Sequence, residues 1–111
     1  MTVAEFRQVG ERFEAKVTGH AGYNRNGPDI VCSACSMLSC TLLQCMMEQE
    51  AAGGLREFHQ SARGASVYLS VAAQPSAQAR VEAAFHTIIS GFALLAREYP
   101  DHVRLYEKRT P

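Results

Sequence analysis

The sequence predicts an α+β fold with the element order ββαββαβ, a mostly antiparallel sheet packed with two long helices. Three observations carry that prediction. Segments of alternating polarity flank two tight turns, Gly10-Glu11 and Arg63-Gly64, as in β-hairpins. Two longer stretches, residues 30–50 and 77–97, repeat apolar residues at helical spacing. Breakers fall between them: Pro28-Asp29, Gly53-Gly54, Pro75-Ser76 and Pro100.

Each element has its own reason. Residues 2–9 mix apolar and polar types and read as a first strand. Phe13, Ala15 and Val17 then alternate with Arg12, Glu14 and Lys16 over residues 12–17, so one face is apolar. The first helix is unusually apolar. Val31, Ala34, Cys35, Leu38, Leu42, Cys45 and Met46 cluster on one side at about 100° per residue. Cys40, Leu43 and Met47 fall on an adjacent side, and Ser33, Met37, Thr41, Gln44 and Glu48 form the solvated strip. Such a helix is either central in the fold or contributes to a subunit contact. A glycine in Gly53-Gly54 supplies a left-handed C-cap. Residues 55–62 and 65–73 form the second hairpin. In it Val67, Leu69 and Val71 alternate with Ser66, Tyr68 and Ser70. The second helix has the stripe Val81, Ala84, Phe85, Ile88, Phe92, Leu95, Ala96 and Tyr99, and Pro100 stops it. Residues 103–108 make a short last strand.

At 111 residues the chain is expected to form one domain, residues 1–111, able to bury roughly 65% of its unfolded surface. Hydrophobic residues are 47% and charged residues 20%, as in an ordinary globule. Lys plus Arg and Asp plus Glu are 11 each, so nothing in the charge balance favours nucleic acid or an anionic membrane. No stretch is read as a membrane span and no export signal is read at the start. Four cysteines in that setting are expected to be free thiols in a reducing cytoplasm. On the first helix Cys35, Cys40 and Cys45 point about 300°, 80° and 220° from Cys32, so they do not converge on a metal. No cofactor is called for. His59, His86 and His102 have no partner motif and read as surface residues.

The chemistry concentrates between the first hairpin and the first helix. Asp29, following Pro28, is an N-cap signal. Cys32 then lies in the first helical turn, where amides lack partners and the helix dipole favours a thiolate. His20 stands 12 residues earlier, after Gly19 and before a loop rich in Gly and Asn. Folded back, it would pair with the sulfur and carry a proton to a leaving group. Gly19, Gly22 and Gly27 suit loop conformation or closure on a substrate. Ser36, about 40° from Cys32 on the helix, can share a cleft with it. The Cys32 N–H is a candidate oxyanion donor, on the ground that helix N-termini leave such groups free.

The stretch GHAGYNRNGPDIVCSACS resembles the signature of the ribosomal-processing cysteine proteases, the Prp family. Gly19, His20, Ala21, Tyr23, Gly27, Asp29, Ile30, Val31, Cys32, Ala34 and Ser36 carry the resemblance. It implies a cytoplasmic, dimeric cysteine endopeptidase that removes the N-terminal extension of a large-subunit ribosomal protein. By position it makes Cys32 the nucleophile, His20 the base and Asp29 an assisting acidic residue. Gly19, Gly22, Tyr23, Gly27 and Ser36 are the candidate substrate-binding residues. Asp29 either orients His20 or only caps the helix. Ser33 and Cys35 replace residues that are more often small and apolar in the family. Two alternatives stay open on the residues: a non-enzymatic ribosome-associated binding module, and a dithiol redox protein using Cys32-Ser33-Ala34-Cys35.

Overall fold

A computed structural model describes residues 1–110, so Pro111 lies outside the described residues. The elements are β1 (Thr2–Val9), β2 (Arg12–Thr18), α1 (Ile30–Ala51), β3 (Leu55–Arg63), β4 (Ser66–Ala73), a 3₁₀ turn (Pro75–Ala77), α2 (Gln78–Glu98) and β5 (Val103–Thr110). The predicted order ββαββαβ and the α+β class hold.

One five-stranded sheet runs in the order β3-β4-β2-β1-β5. Both hairpins are antiparallel, as is the β2–β4 pairing that joins them. The β1–β5 pairing is parallel, so the sheet is mixed and mostly antiparallel. A bulge between Leu55 and Glu57 shifts the β3–β4 register. Arg56, the extra residue, donates from Nε to the Ala73 carbonyl at 3.2 Å.

The core lies between the helices and one sheet face. Phe6, Phe13, Ala15, Val17, Leu69 and Val71 are buried from the sheet, and Val81, Phe85, Ile88 and Phe92 from α2. Phe13 meets Phe85 with centroids 5.0 Å apart, and Phe6 meets Phe92 at 5.8 Å. Gly91 allows close helix crossing, since a Cβ there would meet Leu38 Cδ2 at 2.7 Å. The opposite sheet face is polar; Arg12 donates to Ser70 Oγ at 3.0 Å and pairs with Glu57.

α1 departs from its predicted face in one place. Val31, Cys35, Leu42 and Met46 are buried as expected, but so is Ser39. Its hydroxyl donates to the Cys35 carbonyl at 2.9 Å, which satisfies it inside the core. α1 ends in a Schellman arrangement: Gly53 has φ +76, and Gly54 N–H reaches the Gln49 carbonyl at 2.8 Å. Both helices are long and apolar enough, by length and composition, to cross a membrane, contrary to the sequence expectation. In the fold their apolar stripes pack on the sheet and on each other.

Candidate active site

The loop that joins β2 to α1 is built around one carboxylate. Asp29 is the N-cap of α1, with extended backbone at φ −109 and ψ 105. Its Oδ1 accepts the Cys32 N–H at 2.9 Å. Its Oδ2 accepts the Tyr23 N–H at 2.8 Å and the Asn24 N–H at 3.2 Å. These amides, the Cys32 N–H first, hold the Asp29 carboxyl below its ordinary value of 3.8. Among the described residues neither oxygen bonds His20, so the geometry is that of a cap and a loop anchor. The Cys32 N–H is therefore engaged by the cap, which corrects the expectation that it is free for an oxyanion.

The loop then brings His20 back over the helix start. His20 Nδ1 lies 4.0 Å from Cys32 Sγ. Gly19 makes this turn possible at φ +90, and a Cβ there would sit 2.3 Å from the Met1 carbonyl oxygen. Gly19 N–H is fixed to the Ala65 carbonyl at 3.0 Å.

Sulfur and imidazole open onto a cleft of about 270 Å³ between α1 and the end of the β3–β4 hairpin. Ser36 and Cys40 line it on the helix, Ala62, Ala65 and Val67 on the hairpin, and Thr2 and Cys35 at its base. Of the predicted site residues, Gly19, His20, Cys32 and Ser36 share this cleft. Gly22, Tyr23 and Gly27 lie in the loop outside its lining. Cys35 is only 3% exposed, and burial pushes its thiol up, so its thiolate is disfavoured. A much smaller hollow elsewhere, between β1, β2, α2 and β5, is lined by no cysteine and by no residue of this loop. Among the described residues no three His, Cys, Asp or Glu side chains gather as a metal site.

Two histidines read as surface residues are not free. His86 Nε2 contacts Arg109 Nη2 at 2.8 Å. His102 is half-buried, and its Nδ1 lies 2.9 Å from the Ala21 carbonyl oxygen, beside His20. The separation of 81 residues hides that contact from any local pattern.

The family model described as cysteine protease Prp matches residues 1–104. The chain belongs to the cysteine protease Prp family. It is accordingly a cysteine protease, a hydrolase. No curated protein sequence matches it. Solved structures that share its fold include the following three. A Streptococcus mutans protein is 23% identical, with 99% of this chain and 96% of that one covered and a TM-score of 0.69. The essential ribosomal processing protease Prp from S. aureus, with a covalently linked product peptide, is 17% identical, with 97% and 100% covered and a TM-score of 0.73. The same S. aureus protease with a substrate peptide gives 15%, 97%, 100% and 0.71. At these identities the likeness to the solved Prp structures is one of fold.

Proposed function

We propose that residues 1–111 form one catalytic domain that removes an N-terminal extension from a large-subunit ribosomal protein, using Cys32 and His20. The observation that carries this reading is the 4.0 Å approach of His20 Nδ1 to Cys32 Sγ at the rim of a cleft. The fold it shares with a ribosomal processing protease, solved with substrate and with product peptides, supports the choice of substrate.

His20 Nδ1 takes the thiol proton as Cys32 Sγ attacks the scissile carbonyl. The developing negative oxygen is favoured by the positive end of α1. His20 returns the proton to the departing amine, leaving a thioester on Cys32. Water, deprotonated by His20, attacks the thioester carbonyl and releases the second product with the thiol restored. Asp29 serves by holding the first turn of α1 and the loop in one arrangement, and Ser36 faces the acyl group from the next turn. The enzyme works as a homodimer in the cytoplasm; Met37 and Met47, 68% and 46% exposed on α1, offer apolar surface for the second subunit. The partner is a peptide, with no direct contact to nucleic acid or membrane.

Incubation with the N-terminally extended ribosomal protein of the same organism tests this. Mass analysis should show a shortened protein with the wild type and the intact one with Cys32→Ala. An unshortened protein with the wild-type enzyme would overturn the substrate assignment.

A further inference from the structure

We infer that His102 is a positioning residue for the Cys32–His20 pair, acting chiefly through the Ala21 carbonyl and in lesser part through the ring of Tyr23; this rests on the dyad proposed above. His20 is exposed, and among the described residues the one hydrogen-bonding contact of its ring is to the sulfur. Its direction is set by the backbone on either side. On one side Gly19 is tied to Ala65. On the other, Ala21 is 1% exposed and its carbonyl accepts from His102 Nδ1 at 2.9 Å. A carbonyl only accepts, so Nδ1 carries the hydrogen, and it does so whether the His102 ring is neutral or charged. The contact therefore does not depend on the protonation of His102.

His102 is itself mounted firmly. Its N–H donates to the Tyr99 carbonyl at 2.9 Å, and its carbonyl accepts the Thr2 N–H at 2.9 Å. The ring is thus fixed to the end of α2 and the start of β1. A second route leads from the same ring to the sulfur. Tyr23 meets His102 edge-on with centroids 5.5 Å apart, and meets Tyr99 at 5.4 Å. The Tyr23 N–H is held by Asp29, whose other oxygen holds the Cys32 N–H. One histidine on β5's threshold therefore braces both ends of the loop. Residues 23–28 are otherwise exposed, with little apolar burial to order them. A pair already 4.0 Å apart is sensitive to small shifts.

The test compares His102→Phe, which keeps a ring for Tyr23 without the donor, and His102→Asn, whose amide N–H takes the place of Nδ1–H. The readout is the iodoacetamide rate at the Cys32 peptide, at neutral and at alkaline pH, beside the melting temperature. His102→Phe should slow the neutral reaction about tenfold and leave the alkaline one unchanged, and His102→Asn should restore most of it. A wild-type neutral rate in His102→Phe overturns the inference. So does a loss that His102→Asn fails to rescue. Should His102→Phe not fold, His102→Gln replaces it, since its amide lies one carbon beyond the Nδ1 position; a wild-type neutral rate there overturns the inference. His20→Ala separates the two levels. If it leaves the neutral rate intact, the dyad falls and this inference with it; if it slows the rate while His102→Phe does not, only the positioning role falls.

Discussion

α1 and α2 are nearly equal in length, 22 and 21 residues, yet they are stabilised and used in opposite ways. α2 buries Val81, Phe85, Ile88 and Phe92, and two of its rings lie against Phe13 and Phe6 of the sheet. Its place is set by apolar area. α1 buries Val31, Cys35, Ser39, Leu42 and Met46, and presents Cys32, Ser36 and Cys40 to a cleft. Its working end is set by a few polar bonds to one carboxylate. Small side chains along α1 leave the space that aromatic ones fill under α2. A helix that is apolar on most sides need not be buried on most sides. Here the excess borders the cleft and the open surface.

The sharpest way to break this contrast is to exchange the two kinds of damage. Cys32→Ala should lower cleavage by about 10³-fold or more, since among the described residues Cys32 carries the sulfur that meets His20. Its thermal stability should move by less than about 1 kcal/mol, because the residue is only half-buried at the cleft wall. Phe92→Ala should do the reverse. Phe92 is 0% exposed and stacks near Phe6, so its removal should cost about 3–5 kcal/mol. Each kilocalorie lowers the melting temperature by about 4–8 °C in a chain of this size. The fraction still folded should cleave at the normal rate. If Phe92→Ala cut the rate per folded molecule as Cys32→Ala does, the division between scaffold helix and site helix would be wrong.

The same contrast explains what could be read in advance. α2 was legible because its stripe follows the helical period and Pro75 and Pro100 mark its ends. The Asp29 cap and the approach of His20 to Cys32 were legible because they lie within one short stretch. Sheet order was not. The parallel β1–β5 pairing joins the two ends of the chain, and no local pattern records it. His102 was missed for the same reason. The burial of Ser39 was missed because its polarity is cancelled by its own helix, at the Cys35 carbonyl. The engaged Cys32 N–H follows from the cap itself: the same carboxylate that starts the helix occupies the donor.

Asp29→Asn gives a smaller effect and sharpens the account of α1. Asparagine has one acceptor oxygen where aspartate has two. It can serve Cys32 on one side or Tyr23 and Asn24 on the other, so either the cap or the loop loosens. Activity should fall partly, with the melting temperature slightly reduced. The Asp29 carboxyl is held below its ordinary value of 3.8, so its stabilising contribution is complete above that pH. It is lost as pH falls through the lower folded value. The gap in melting temperature between wild type and Asp29→Asn should therefore be widest near neutrality and close in acid. A gap that stays constant into strong acid would show that the charge at the cap contributes nothing.

The smallest effect is expected one turn along the same helix. Cys35 shares the cleft floor with Thr2, but its thiol is 3% exposed and pushed up by burial. A thiol in that state packs as a small hydrophobe and reacts slowly. Cys35→Ala should thus cost about 1 kcal/mol of stability, through lost packing beside Val31 and Leu42, and leave cleavage close to wild type. Iodoacetamide should label Cys32 well before Cys35 in the native protein. Two thiols of one helix would then differ by position alone, one at the capped and open end and one under the core. Loss of cleavage in Cys35→Ala, with the fold intact, would instead make the pair a working dithiol and move the chemistry from hydrolysis toward exchange.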